Sequence, residues 1–150
     1  MNAYQVLKDK QDKEFAKFPI FFAFNDEQFK EGMAKLGLTL ADTDKIYKFG
    51  RTGGFYLRTD SERLHNMLTG FDKELQDAIA ADTTGEGFIF DMFNYELANH
   101  EYVITYDTSS SLDALGLTLE DIEKDQRLQH GLKLAKQSQR EEYEKGDNDE

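Results

Sequence analysis

Apolar residues along the chain fall into two patterns, short unbroken runs and longer stretches at helical spacing. The short runs are rich in aromatic and β-branched residues, which is typical of strands. They cover residues 20–24, 45–49, 55–58 and 102–106. The second and third runs flank the glycine-rich residues 50–54, which indicates an antiparallel hairpin. We therefore predict a small, mainly antiparallel sheet of about four strands, with the first strand buried.

Apolar residues spaced three and four apart predict two long helices, at residues 60–81 and 87–99. Residues 88–97 are apolar on more than one side, as in a heavily packed central helix. Asn25 with Gln28, and Thr59 with Glu62, match capping boxes that begin helices. A first surface helix is expected over residues 4–18, ending at Pro19. The fold class is thus α+β, with the sheet packed against the two long helices.

The pentapeptide LGLTL occurs twice, at residues 36–40 and 115–119. Each copy predicts a helix that ends with its glycine in the left-handed conformation, and Thr118 is placed to cap the next helix. A C-terminal helix loses its apolar stripe after Ala135, and residues 137–150 are polar apart from one tyrosine. We predict a single acidic domain over residues 1–136 and a frayed or disordered polar tail over residues 137–150.

Charge is the strongest compositional feature, with 18 basic and 30 acidic side chains and a net charge of -12. Residues 1–58 carry +2, residues 59–107 carry -9 and residues 108–150 carry -5. This balance argues against direct binding of nucleic acid. No cysteine is present, so disulfides and thiolate metal sites are excluded. No run approaches the length that spans a bilayer, and no signal peptide is recognisable, so we expect a cytoplasmic protein without membrane contacts.

Motifs for catalysis and cofactor binding give little support to an enzyme. The glycines match neither a dinucleotide fingerprint nor a P-loop, and residues 121–132 fail the calcium-loop pattern at its sixth and twelfth positions. Glu96 and His100 are one helical turn apart, but a zinc site needs further ligands, for instance Asp91 or Glu101. We predict no catalytic residues, no metal and no cofactor.

Three blocks of the chain resemble a family of small acidic proteins that recurs in gut bacteria, their phages and other mobile elements. They are FPIFFAFNDEQFKEGM, DKELQDAIAADTTGEGFIFDMFNYELANHEY and LDALGLT, and the resemblance covers residues 18–134. It implies no activity, cofactor or catalytic residue. It does imply a mobile-element accessory protein rather than a metabolic enzyme.

The acidic middle of the chain suggests a function. Residues three or four apart on a helix have Cβ atoms about 5 to 6 Å apart, so carboxylates at this spacing can approximate the charge density of a row of phosphates. The leading hypothesis is a non-enzymatic decoy that inhibits a basic, nucleic-acid-handling host protein. Its candidate partner-binding residues are Asp72, Glu74, Asp77, Asp82 and Glu86. The alternatives are a structural or regulatory interaction module without mimicry and, third, a small hydrolase or metal-dependent enzyme.

Overall fold

A computed structural model describes residues 1–148 and divides the chain into two compact units. One unit is residues 12–73 and contains ten basic and ten acidic side chains. The other is residues 1–11 with 74–150 and contains eight basic and twenty acidic side chains. We call them the neutral unit and the acidic unit. Their boundaries fall inside helix α1 (Ala3–Ala16) and helix α3 (Ser61–Ala81).

The neutral unit is built on a three-stranded antiparallel sheet with the strand order β1-β3-β2. Its strands are β1 (Ile20–Phe22), β2 (Ile46–Phe49) and β3 (Gly54–Leu57), and helix α2 (Asp26–Lys35) packs against β1. Phe21 pairs with Phe55 in the register of β1 and β3. The rings of these two residues stack with centroids 5.3 Å apart. The predicted hairpin and its antiparallel pairing are confirmed.

Helix α2 begins and ends at the predicted residues, but the predicted capping box is only half formed, because Gln28 Oε1 accepts from the N–H of Phe24 at 2.8 Å. Asn25 Oδ1 accepts a hydrogen bond from the backbone N–H of Gln28 at 2.8 Å. At the other end Gly37 has a φ of 75°, a conformation that glycine adopts without steric cost. The N–H of Leu38 then donates to the carbonyl of Met33 at 2.9 Å. This closes the helix with the bond pattern of a Schellman motif.

Gly32 allows α2 to approach β1 closely. It is buried, and a β-carbon at this position would overlap the ring of Phe21. We expect Gly32→Ala to lower the free energy of unfolding by about 2 kcal/mol, because the ring would have to move within a packed core. Gly70→Ala is the matched control, since a β-carbon at Gly70 in α3 meets no atom within 4 Å.

Gly70→Ala should raise the free energy of unfolding by about 0.7 kcal/mol through helix propensity alone. Urea denaturation of the two variants, followed by circular dichroism, measures both effects. Equal effects of the two substitutions would contradict the close approach.

The acidic unit is helical and is centred on α4 (Phe88–Asn99). Its other helices are α5 (Tyr102–Thr105), α6 (Ser109–Ala114), α7 (Leu119–Glu123) and α8 (Gln126–Asn148). Ile89, Met92, Phe93 and Leu97 of α4 are completely buried, and α4 packs against α5, α6 and α8. The predicted central, heavily packed helix is therefore confirmed.

The second LGLTL copy repeats the geometry of the first. Gly116 has a φ of 68°, and the N–H of Leu117 donates to the carbonyl of Leu112 at 2.9 Å. Thr118 then caps α7: its hydroxyl accepts from the N–H of Asp121 at 3.2 Å, and the Asp121 carboxylate accepts from the N–H of Thr118 at 2.9 Å. Both copies perform the local capping that was predicted.

The prediction of a strand at residues 102–106 is wrong, and the described residues contain three strands instead of about four. Residues Tyr102–Thr105 form one helical turn between two left-handed residues, Glu101 (φ 54°) and Tyr106 (φ 57°). Tyr102 is buried in the core of the acidic unit, and its ring lies edge-on to that of Tyr106 at 5.7 Å. Burial of this ring outweighs the β propensity of the run.

Three smaller expectations also differ from the structure. The sheet packs against α2, whereas α4 packs within the acidic unit. Residues Arg58–Asp60 form a short 3-10 turn before α3 in place of the predicted capping box at Thr59. Of the apolar run at residues 20–24, only Phe21 is buried, because alternate strand residues face opposite sides, and Phe24 is 76% exposed beyond the end of β1.

The C-terminal residues 137–148 continue helix α8, in contrast to the expected frayed or disordered tail. Gln139 is buried there, and its Nε2 donates to Asn94 Oδ1 at 2.7 Å, which ties this part of α8 to α4. The last two residues of the predicted tail lie outside the described residues. The single domain over residues 1–136 stays a prediction beside the two units. No helix in the described part of the chain has the length and apolar character to cross a membrane.

Candidate functional site

The five acidic residues predicted to bind a partner lie on α3 and on the loop between α3 and α4. Asp72 is exposed and belongs to the neutral unit. The other four belong to the acidic unit. Asp77 is exposed on α3, and Glu74, on the same helix, accepts a hydrogen bond from Lys10 Nζ at 2.7 Å. Glu86 is exposed on the loop, and its Oε1 lies 3.1 Å from His130 Nε2.

Asp82 caps the loop that leads into α4. Its Oδ1 accepts from the N–H groups of Thr84 and Gly85 at 3.1 and 2.9 Å. Its Oδ2 accepts from the N–H groups of Gly87 and Ile89, each at 3.0 Å. Both carboxylate oxygens are therefore engaged by the backbone, and Asp82 organises the start of α4.

The environment of Asp82 has opposing effects on the pKa of its carboxyl group. Partial burial acts to raise the pKa, but the four backbone N–H groups favour the ionised form and together hold the pKa below its ordinary value. Asp82 is thus a charged group with a structural role. The sequence pattern alone did not distinguish it from its solvated neighbours.

The acidic unit also contains a buried carboxylate, that of Glu96, whose side chain is 1% exposed. Tyr4 donates its hydroxyl hydrogen to Glu96 Oε1 at 2.9 Å, and Lys8 Nζ lies 3.6 Å from the same oxygen. His100 Nε2 lies 3.2 Å from Glu96 Oε2. The carboxylate is therefore surrounded by one hydroxyl, one ammonium group and one imidazole.

Aromatic contacts support the same docking of α1 on α4. The ring of Tyr4 is buried and lies edge-on to the rings of Phe88 and Tyr95, at 6.1 and 5.4 Å. Lys8 Nζ lies 5.7 Å from the centre of the Tyr95 ring. The first turns of α1 are thus held to α4 by the polar contacts of Glu96 and by the aromatic rings that pack around Tyr4.

The sequence places Glu96 and His100 one helical turn apart, but the contacts of Tyr4 and Lys8 with Glu96 were not predicted. These two residues are also four positions apart, and so lie on one face of α1. That spacing was the available signal, but nothing in the sequence shows that this face meets Glu96 from 92 residues away.

The other two residues considered as metal ligands are placed differently. Asp91 Oδ2 accepts from the N–H of Ala3 at 2.9 Å, so this carboxylate fixes the start of α1. Glu101 is one of the left-handed residues that flank α5. Within residues 1–148 there is no group of three histidine or acidic side chains that could hold a metal ion.

Comparison with known proteins identifies one family. A family of unknown function, DUF7659, matches residues 3–138, which is most of the chain and includes the whole neutral unit and most of the acidic unit. Neither the curated proteins nor the solved structures give a significant match. The match includes Tyr4, Asp82 and Glu96, so the capped loop and the buried carboxylate both fall inside the family region. The chain belongs to the DUF7659 family of unknown function.

Proposed function

We propose that this chain is a non-enzymatic accessory protein whose acidic unit binds a basic partner protein. The observation that carries the proposal is the segregation of charge: the neutral unit has equal numbers of acidic and basic side chains, and the acidic unit accounts for the whole net charge of -12. Charge that served solubility alone could be spread over both units. Concentrated on one unit, it attracts and orients a partner of opposite charge.

A nucleic-acid-handling protein is the specific partner that we propose. Such proteins carry clustered Lys and Arg that bind phosphates, and carboxylates on the acidic unit would occupy the same cations. Asp77 and Glu86 are the candidate residues that are exposed on the acidic unit. Inhibition of a host protein would suit an accessory protein of a phage or mobile element, the context that the family resemblance implies.

Affinity capture with charge variants tests the proposal. One variant carries Asp77→Asn, Glu86→Gln and Glu141→Gln, three exposed residues of the acidic unit; the matched variant carries Glu27→Gln, Glu31→Gln and Asp44→Asn, three exposed residues of the neutral unit. Each removes three negative charges. For a partner captured from a host lysate, we expect the first variant to weaken binding about ten-fold and the second to have little effect, because exposed charge pairs contribute up to about 1 kcal/mol each.

Ionic strength and competition separate the proposed functions. If the chain is a decoy, its affinity for the partner should fall steeply between 50 and 500 mM NaCl. Duplex DNA should also displace the chain from the partner. Binding that is insensitive to salt and to both variants would reject the acidic unit as the binding surface. Binding that depends on salt but is not displaced by DNA would favour the interaction module without mimicry.

A further inference from the structure

A groove between α4 and α8 offers the acidic unit a defined docking surface. It is a shallow, open depression of about 330 Å³, lined by Glu86, Phe90, Leu134, Gln137, Ser138 and Glu141. Phe90 and Leu134 provide apolar surface, and both are only partly buried. The two charged side chains of the groove, Glu86 and Glu141, are both acidic. We call it the α4–α8 groove.

The spacing of the residues from α8 indicates the shape of the occupant. Leu134, Gln137, Ser138 and Glu141 follow the i, i+3, i+4, i+7 pattern, so they form one face of α8 over about two turns, or about 10 Å. At this face the groove presents two apolar side chains, Phe90 and Leu134, on which an amphipathic helix can lay its apolar face between the two helices. A site that bound only an isolated cation would not need the apolar side chains Phe90 and Leu134.

Charge determines the chemistry of that helix. From the groove and the acidic unit around it, we infer that the α4–α8 groove binds a basic amphipathic helix of the partner protein, an inference that rests on the proposed function. Its apolar side chains contact Phe90 and Leu134, and its Lys or Arg side chains pair with Glu86 and Glu141. The net charge of the acidic unit favours a basic helix over a neutral or acidic one.

The neighbouring surface of α8 restricts where the cations can lie. A second depression shares Gln137 and Glu141 with the groove but is also lined by Lys133, Arg140 and Glu144. The two cations there would repel a basic helix that shifted across α8. A basic helix is therefore expected to bind on the side of Glu141 that faces Phe90, where Glu86 provides a second carboxylate.

An NMR titration with a designed peptide tests the inference. The probe is an 18-residue amphipathic helix made of Leu and Lys, and its control is a scrambled peptide of the same composition without an apolar face. In 50 mM NaCl we expect the amphipathic peptide to shift the amide signals of Phe90, Leu134 and Ser138. The scrambled peptide should bind about ten-fold more weakly, because it cannot bury leucine side chains in the groove.

Two pairs of variants localise the binding. Ser138→Arg places bulk and positive charge in the groove and should weaken binding at least about ten-fold, whereas Ser138→Ala should leave it unchanged. Glu141→Gln should weaken binding about three-fold, and Glu142→Gln, which removes the same charge from an exposed position outside the groove, should not. Circular dichroism confirms that each variant is folded.

The outcomes separate the groove from the proposed function. Shifts spread over other faces of the acidic unit, with no effect of Ser138→Arg, would overturn the groove and leave the binding of basic partners by the acidic unit standing. Equal binding of the two peptides would also overturn the groove. Shifts confined to residues 12–73, or no shifts at all, would overturn both.

Discussion

Replacing Glu96 by alanine is expected to lower the free energy of unfolding by about 4 kcal/mol, the largest effect that we predict for a single substitution. The substitution leaves the buried hydroxyl of Tyr4 without its acceptor and opens a cavity in the interior of the acidic unit. It also removes the carboxylate that Lys8 and His100 contact. Urea denaturation followed by circular dichroism measures the loss.

A double-mutant cycle assigns the loss to the contact between α1 and α4. Tyr4→Phe alone should cost about 1 kcal/mol, and combined with Glu96→Ala it should add little, because the two side chains share one hydrogen bond. Tyr143→Phe, at an exposed position of α8, is the control and should change nothing. Full additivity of Tyr4→Phe and Glu96→Ala would show that the buried hydrogen bond does not stabilise the fold.

Replacing Asp82 by alanine is expected to cost about 3 kcal/mol, because four backbone N–H groups lose one charged acceptor. Two of these N–H groups belong to buried residues, Gly85 and Ile89. Water therefore cannot readily replace the carboxylate as their hydrogen-bond acceptor. Glu86→Ala, in the same loop, is the control and should cost less than about 0.5 kcal/mol, since Glu86 is exposed.

The pH dependence of the Asp82→Ala effect is a second measurement of the same cap. The pKa of Asp82 is lowered in the folded state, so the carboxylate stabilises the fold fully above the pKa of about 3.9 that aspartate has in an unfolded chain. As the pH falls below about 4, the difference in unfolding free energy between wild type and variant should shrink. A difference that grew in acid would contradict the lowered pKa.

Several local sequence signals predicted the local structure correctly, although the capping box at Thr59 did not form. The capping at Thr118, the left-handed glycines Gly37 and Gly116, and the hairpin around residues 50–54 depend on residues close in sequence, and all are confirmed. The run at residues 102–106 failed because its β-branched and aromatic composition suits a strand, whereas the core of the acidic unit buries Tyr102 on a helical turn. The β propensity of a run of residues takes no account of such a tertiary contact.

The candidate site was predictable only in its charge. Counting along the chain located most of the acidity in residues 59–107. The acidic unit joins residues 1–11 to residues 74–150, so the equal numbers of acidic and basic side chains in residues 12–73 were not predicted. Asp82 seemed equivalent to Asp77 in sequence because the four N–H groups that bind it come from the loop geometry. The α4–α8 groove combines residues about 50 positions apart, which no local pattern indicates.

Hydrogen–deuterium exchange of the chain with its captured partner tests most directly whether the acidic unit is the binding unit. Binding should slow exchange in residues 1–11 and 74–148, and the protection should disappear in 500 mM NaCl as the charge pairs are screened. Residues 12–73 should exchange at the same rate with and without the partner. Protection confined to residues 12–73, or protection of the acidic unit that persists in 500 mM NaCl, would contradict the account.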